Sequence, residues 1–289
     1  MDNRKNGIKG RRRNIKARRK QQVRRQLMLI GVVVLVIVCL LVSCSVRSCS
    51  KKKAQEEAAL KKQQEEEQVE TEKEKLARVK KEATEKGYPE KVIELLTKNP
   101  ETVDFVDHYE EKKDEPCAET IEEFESGTIP HLLQWDERWG YTSYGTSNIA
   151  VSGCGPTCMA MVLSYLTDDA SLTPAVLAKY SEENGHITEN NSTLWSFMSD
   201  ACTNWGVKCT ECGVAEEQIE RMLNAGQPII CNVGEGDFTE NGHYIVLTAY
   251  NNGKVSVLDP FSNKNTKDWV YEDIKDQIKG SWSYSVNND

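Results

Sequence analysis

Apolar residues recur with helical spacing in the middle of the chain. After Pro156 they fall at i, i+3, i+4, i+7 and i+8, which predicts one apolar face of a helix. These five residues are Cys158, Met161, Val162, Tyr165 and Leu166. Further helices are predicted in PAVLAKYSEEN after the cap Thr173, in STLWSFMSDACTNWG and in AEEQIERMLNAG, the last two closed by glycine.

Towards the C-terminus the pattern changes to short runs rich in β-branched and aromatic residues. Five strands are predicted, in PIICNV, GHYIVLTAY, KVSVLD, KDWVYE and SWSYSV. Asn251-Asn252-Gly253 supplies a hairpin turn between the second strand and the third. A helical half followed by an antiparallel β half predicts an α+β fold for residues 129–289.

Two accessory segments precede this domain. Residues 51–87 are mostly Lys, Glu, Gln and Ala, which favour helix, and they contain almost no large apolar residues. We therefore expect a charged helical stalk that is solvated along its length. Residues 88–128 are predicted to form an extension, with two short helices opened by Pro89 and Pro100 and then an acidic loop from residue 110.

An uninterrupted apolar run from Leu27 to Val42 approaches the length of a bilayer span by Val46. It predicts a transmembrane helix over 27–46. Twelve Lys/Arg precede the run and only four follow it closely, so residues 1–26 should form a basic cytoplasmic tail and the C-terminal domain should be extracytoplasmic, in a type II arrangement. A signal peptide is one alternative. Leu41-Val42-Ser43-Cys44 also resembles the lipobox, so a lipoprotein anchored at Cys44 is another.

The charge of the chain is divided unevenly along its length. Residues 1–50 carry 13 Lys/Arg and one acidic residue, whereas residues 88–289 carry 13 basic and 34 acidic residues. An acidic body repels phosphate groups, so we expect no nucleic acid partner for the C-terminal domain.

Seven cysteines lie in the part that is predicted to be exported, an odd number that leaves at least one thiol unpaired. Cys209-x-x-Cys212 could form half of a zinc site, completed by Cys202 or Cys231, but a second Cys-x-x-Cys is missing. We therefore expect no metal and no cofactor. Without Cys154, the cysteines whose pairing stays open are Cys117, Cys158, Cys202, Cys209, Cys212 and Cys231.

Cys154 lies between two glycines at the start of the predicted helix. The unpaired amides and the positive dipole end of a helix stabilise a thiolate there. A cysteine nucleophile also needs a base held by a third group. His243 stands at the first position of an apolar strand, and the hairpin at Asn252 returns the chain to Asp259 at the same edge, so Asp259 can orient the imidazole.

The order of these residues resembles that of the papain-fold cysteine peptidases, and among them the relatives of the bacteriocin-leader (double-glycine) peptidases. The resemblance covers residues 129–286 and rests on IPHLLQWDERWG, GCGPTCMAMVLSYL, GHYIVLTAY and VSVLDPF. It implies that Cys154 is the nucleophile, His243 the general base and acid, and Asp259 the orienting residue. Gln134 matches the oxyanion-hole glutamine, although it lies 20 residues before the cysteine instead of a few, and Asn148 is an alternative donor.

The resemblance implies a membrane-anchored, extracytoplasmic cysteine peptidase-like hydrolase that acts on the peptide or amide bonds of a peptide or protein through a thioester. Transfer of the acyl group to an amine instead of water is left open. Two alternatives remain: a papain-like domain that only binds surface or cell-wall peptides, and a thiol–disulfide enzyme that uses Cys154 and Cys158. The sequence has no G-x-x-x-x-G-K-[ST] segment, so it contains no sign of an ATP-binding cassette.

Overall fold

The structure, a computed structural model, describes Met28 and residues 71–286. The chain divides into two compact units, residues 1–72 and 73–289, and the second contains the folded body. Apart from Met28, the predicted tail and transmembrane helix, Cys44 and the first part of the stalk lie outside the described residues. In the part of the chain that is described, no helix is both long enough and apolar enough to cross a bilayer.

The described part begins with a helical region and ends with a sheet. Helix α1 covers residues 71–85. The other α-helices are α2 (Glu90–Lys98), α3 (Val103–Asp107), α4 (Tyr109–Lys112), α5 (Ile149–Ser152), α6 (Cys154–Thr167), α7 (Pro174–Glu183), α8 (Ser196–Asn204), α9 (Glu216–Asn224) and α10 (Tyr271–Ile274). Short 3-10 turns occupy Pro100–Thr102 and Lys275–Gln277.

The strands form a two-stranded ribbon and a six-stranded antiparallel sheet. The ribbon pairs β1 (Ser143–Tyr144) with β2 (Ser147–Asn148). The strands of the sheet are β3 (Val207–Cys212), β4 (Ile229–Val233), β5 (His243–Asn251), β6 (Lys254–Leu258), β7 (Asp268–Val270) and β8 (Ile278–Val286). They are arranged in the order β3-β8-β4-β5-β6-β7.

Helices cover both faces of the sheet. On one face, Tyr244, Val246 and Trp282 pack with the apolar residues of α6, α7 and α8. On the other face, Ile245 and Leu247 pack with α9 and α10. Because neighbouring residues of a strand point to opposite faces, strand β5 is apolar at almost every position and serves both cores. This explains its unbroken apolar run.

The prediction of an α+β fold with helices followed by an antiparallel sheet is confirmed. The hairpin between β5 and β6 is also found, with Asn252 and Gly253 at φ 50° and 77°. Strand β3 was not predicted. It lies between α8 and α9, in the half assigned to helices, and pairs with β8 at one edge of the sheet. Three of its six residues are exposed, two of them consecutive, and only Val207 is buried, so it lacks the alternation that marks a strand.

The prediction of a solvated stalk is wrong for residues 71–85. They are helical as expected, but Val79 and Ala83 are each 1% exposed and pack against α2 and α3. Their spacing of four residues places them on one face of α1. Arg78 on the same helix pairs with Asp107 at the end of α3, with 2.9 Å between Nη2 and Oδ2. Helix α1 is therefore part of the folded body.

Candidate active site

The structure places Cys154 at the first residue of α6, with Gly153 immediately before it. The side chain of Asn148 caps the preceding short helix α5 by accepting the Val151 N–H at 3.1 Å. Residues 155–164 of α6 are all buried, whereas Cys154 is half-buried. The thiol is therefore the accessible end of an otherwise enclosed helix, beside backbone amides that helical hydrogen bonds do not use.

The flanking glycines are needed for packing inside the protein. A Cβ on Gly153 would lie 2.5 Å from the Ile149 side chain, and one on Gly155 would lie 2.8 Å from the side chain of Thr193. They allow α5 and the segment that carries Thr193 to lie directly against the start of α6.

His243 and Asp259 form a buried pair. His243 is the first residue of β5, and its Nε2 lies 2.8 Å from Oδ1 of Asp259. The Asp259 side chain is only 1% exposed. The same carboxylate accepts the Phe261 N–H at 2.8 Å and the Asn265 amide at 3.0 Å. These bonds satisfy a buried charge that would otherwise be costly, and they fix its position.

Cys154 interacts with the imidazole of His243 and is one of the groups that raise its pKa. Since Nε2 is taken by Asp259, Nδ1 is the nitrogen left for the thiol. Burial alone would lower the pKa of His243, but the charges and hydrogen bonds of Asp259 and Cys154 outweigh it and raise the pKa to about 10. Burial favours the neutral form of Asp259 and would raise its pKa, but the charge and hydrogen bond of the adjacent imidazole hold the pKa below its ordinary value. The pair therefore favours an imidazolium and a carboxylate at neutral pH.

Gln134 lies next to the segment that leads into Cys154. Its Nε2 donates to the Ala150 carbonyl at 2.8 Å and makes a long contact of 3.5 Å with the Ile149 carbonyl. Its Oε1 is buried and has no hydrogen-bond partner. One amide hydrogen is thus committed to α5, and the second is held only weakly. The alternative donor, Asn148, uses its side-chain oxygen to cap α5.

Several side chains around the site were missed by the sequence interpretation. Thr193 lies against Gly155, and its Oγ1 is 2.9 Å from the hydroxyl of Tyr144. The Tyr244 hydroxyl donates to the Thr193 carbonyl at 3.0 Å. Thr193 had been placed inside a predicted helix, which in the structure begins only at Ser196. No local pattern distinguishes Thr193, because its role comes from residues distant in sequence.

His131 lies on the far side of Asp259. Its Nε2 is 2.9 Å from the Asp259 carbonyl and 3.0 Å from the hydroxyl of Thr266. It contacts the backbone of the aspartate and not the carboxylate. A histidine 128 residues before its partner gives no sequence signal for such a contact.

The other cysteines are separate from this group. Cys158 is completely buried on α6, and burial raises the pKa of its thiol well above the ordinary value. It therefore lacks the access that a redox partner of Cys154 would need, and all seven cysteines of residues 71–286 are free thiols. Cys209 and Cys212 belong to different cores on opposite faces of β3, so they do not form a half-site for zinc. Within the described ranges there is no cluster of three or more potential metal ligands.

Comparison with known proteins was made for sequence and for structure. Residues 127–288 match the model of the Peptidase_C39 like family. No curated protein matches the chain. A structure described as a C39-like peptidase from Bacillus anthracis is 15% identical, with a TM-score of 0.39, and covers 56% of this chain and 97% of its own.

Two further solved structures are similar to parts of the chain. The peptidase domain of Streptococcus ComA, a bi-functional ABC transporter involved in a quorum sensing pathway, is 16% identical, with a TM-score of 0.36, and covers 46% of this chain and 93% of its own. A double glycine motif protease from an AMS/PCAT transporter, in complex with the leader peptide, is 14% identical, with a TM-score of 0.32. The match covers 59% of this chain and 99% of that protease.

Proposed function

The chain belongs to the Peptidase_C39 like family, and we propose that it is a cysteine peptidase-like hydrolase in which Cys154 is the nucleophile, His243 the general base and acid, and Asp259 the orienting residue. The observation that supports this most is the buried hydrogen bond of 2.8 Å between Nε2 of His243 and Oδ1 of Asp259, together with the interaction of Cys154 with the same imidazole. Covalent catalysis by a thiol requires a base beside the nucleophile and a third group that orients the base.

The proposed reaction splits the cleavage of an amide bond into two steps. His243 is an imidazolium in the resting enzyme and already holds the proton of the Cys154 thiol on Nδ1, so the Cys154 thiolate attacks the carbonyl carbon. The tetrahedral intermediate collapses to a thioester as the imidazolium gives its proton to the leaving amine. Water then gives a proton to the neutral imidazole as it attacks the thioester, and release of the acid restores the thiolate and the imidazolium.

The negative oxygen of the tetrahedral intermediate needs hydrogen-bond donors close to the sulfur. We assign this role to the N–H of Cys154 and the second amide hydrogen of Gln134. The weak 3.5 Å contact of Gln134 with the Ile149 carbonyl supports the assignment, since that hydrogen can be redirected at little cost. Asn148 is the less favourable donor, because its side chain also caps α5.

A peptide-based acylating probe, followed by measurement of the intact protein mass, would test the assignment of Cys154 as the nucleophile. The parent protein should gain one acyl group, located on Cys154 by peptide mapping, and Cys154→Ala should gain none. Cys158→Ala is the matched control, since this thiol is on the same helix but completely buried, and it should be labelled at the parent rate. His243→Ala should slow acylation by about a hundredfold or more.

Labelling that persists in Cys154→Ala, or that moves to Cys158, would exclude Cys154 as the nucleophile. Acylation of Cys154 that His243→Ala leaves unchanged would show a reactive thiol without the proposed base.

The proposed location is extracytoplasmic, with the chain anchored in the membrane by residues 27–46 or, alternatively, by lipid at Cys44. It rests on the apolar run and on the excess of Lys/Arg before it. A peptide or protein outside the cytoplasm would then be the substrate.

The alternative of a binding-only domain predicts unchanged ligand affinity, and no turnover, after Cys154→Ser.

A further inference from the structure

The α1–α4 region, residues 71–112, lies outside the residues that match the family model, which begin at 127. It nevertheless contacts the loop that carries Asp259. The Asn99 side chain, only 6% exposed, donates from Nδ2 to the Phe261 carbonyl at 2.5 Å. Glu101 accepts the Asn263 N–H at 2.9 Å on Oε2 and the Asn263 side-chain amide at 3.2 Å. Asn99 and Glu101, which are two residues apart, thus bind Phe261 and Asn263, which are also two residues apart.

Phe261 links these contacts to the candidate active site. Its N–H donates to Oδ1 of Asp259 at 2.8 Å, the oxygen that also bonds His243. Its ring lies edge-on to the imidazole of His243, with 6.4 Å between the centroids. Its carbonyl is held by Asn99 and also by the Trp135 indole at 2.8 Å. The backbone of Phe261 therefore connects the contacts on its carbonyl to the N–H that donates to the catalytic carboxylate.

The same region packs against the other side of the site. Ala150, in the short helix just before Cys154, belongs to the apolar cluster that includes Val79, Leu95 and Phe105. The Tyr141 hydroxyl donates to the Phe105 carbonyl at 2.9 Å and fixes this packing. The α1–α4 region is thus in contact with the segment before the nucleophile and with the loop after the aspartate.

We infer that Asn99 and Glu101 are positioning residues of the proposed active site, which hold the loop at Phe261 so that Asp259 keeps its hydrogen bond to His243. The inference rests on the proposed function. Neither residue touches the reacting atoms. They act through the backbone of Phe261 and Asn263, and their loss leaves the Phe261 carbonyl with the Trp135 indole as its remaining donor.

The substitution Asn99→Asp removes the two contacts that the amide nitrogen donates and keeps the one that the oxygen accepts. A carboxylate still accepts the Glu101 N–H, as the Asn99 oxygen does at 3.1 Å, but it cannot donate to the Phe261 carbonyl or to Oε2 of Glu101, which Nδ2 meets at 3.4 Å. Glu101→Ala, at a less buried position, removes the acceptor for Asn263 and remains informative if Asn99→Asp does not fold. Glu101→Gln keeps an acceptor oxygen and should restore most of the loss. Lys98→Ala is the matched control, because Lys98 pairs only with Glu94 on its own helix.

The first measurement is hydrogen exchange in the full chain, over peptides that contain residues 259–265. Asn99→Asp and Glu101→Ala should speed exchange there, and Lys98→Ala should not. The second is the rate at which iodoacetamide alkylates Cys154, followed by peptide mapping as a function of pH. The groups that face His243 are Asp259 and Cys154, and Asn265 and Phe261 face the carboxylate.

A weakened hydrogen bond between Asp259 and His243 removes part of what stabilises the imidazolium, so the limb of the profile that follows loss of the His243 proton should move downwards by about half a pH unit to one unit. Faster exchange with an unmoved pH profile would show a purely structural contact and would overturn the inference. Variants that match the parent in both measurements would overturn it as well. If Cys154 of the parent itself reacts like an ordinary thiol, the proposed function fails, and the inference falls with it.

Discussion

At the scale of single residues, the candidate site shows how one position serves packing and chemistry together. Gly155 follows the proposed nucleophile, and the space beside it is filled by Thr193, which also accepts the Tyr244 hydroxyl on its carbonyl. The sequence showed a glycine on each side of Cys154, but it did not show what these glycines pack against. The reason is the contact between α6 and a segment that is distant in the chain.

This contact predicts the cost of a single methyl group. Gly155→Ala should reduce the free energy of unfolding by roughly 1–3 kcal/mol, because the new Cβ overlaps Thr193 in a tightly packed place. Chemical denaturation measures the loss. Gly242→Ala is the control, since its new methyl group would meet nothing within 4 Å and its φ is not in the left-handed region, so it should change stability by less than about 0.5 kcal/mol. Equal stability of Gly155→Ala and the parent would contradict the packing described for Thr193.

The charge state of His243 predicts a dependence of stability on pH. Its pKa of about 10 in the folded protein exceeds its ordinary value of 6.5, so its contribution to stability is fully present below pH 6.5 and is lost as the pH rises towards 10. Asp259 has a lowered pKa, so its contribution is present above its ordinary pKa of 3.8 and is lost in more acidic solution.

The free energy of unfolding of the parent, minus that of His243→Gln, should therefore be largest between about pH 5 and 6.5 and should decline steadily from pH 6.5 to 10. Urea titrations at successive pH values measure this difference. A difference that stays constant over the range, or grows with pH, would show that the imidazole is neutral in the folded protein.

At the scale of elements, the helices and strands with strong apolar periodicity were predicted correctly from the sequence, and those with weak periodicity were not. Helix α6 and the β5–β6 hairpin were predicted from the sequence, because their apolar patterns and turn residues are local. Strand β3 was missed, since an edge strand with one half-exposed face has no clear alternation. In helix α1 the composition is mostly charged, and few residues mark the buried face: Val79 and Ala83 are buried, and Leu76 is half-buried beside them. Three apolar residues did not separate a docked helix from a solvated one.

The docking of α1 predicts that its apolar positions support the stability of the folded body. Val79→Ala should lower the free energy of unfolding by roughly 1–3 kcal/mol, since it leaves a cavity among Leu95, Phe105 and their neighbours. Lys80→Ala, at the next and exposed position, should change it by less than about 0.5 kcal/mol. If both variants unfold at the same denaturant concentration, α1 is not packed on the body in solution.

At the scale of the whole molecule, residues 73–286 form one folded body with one family domain inside it. The apolar cluster that joins α1–α3 to Ala150 contains residues from both sides of the start of the family match. Residues 88–289 are strongly acidic, with 34 acidic and 13 basic residues, whereas residues 1–50 are basic. This asymmetry gives the two ends of the chain opposite electrostatic preferences, and anionic lipid is a suitable surface only for the basic end.

The proposed anchor makes a prediction that concerns the complete chain. In a bacterial host, the protein should sediment with membranes, and protease added to intact spheroplasts should digest the C-terminal domain but not the basic tail. Cys44→Ala separates the two anchors, since a lipoprotein would lose its membrane association and a transmembrane protein would keep it. Recovery of the parent in the soluble fraction, protected from protease, would contradict both.

The sequence by itself determined the chemistry-bearing positions and their local settings. A cysteine at a helix start, a histidine at a strand start and an aspartate after the hairpin follow from spacing and turn residues, which act over a few residues. Tertiary structure alone decided that Cys154 meets His243, that Thr193 fills the space at Gly155 and that Asn99 reaches Phe261. These contacts join residues far apart in the chain, so they depend on how the layers pack, which no local pattern records.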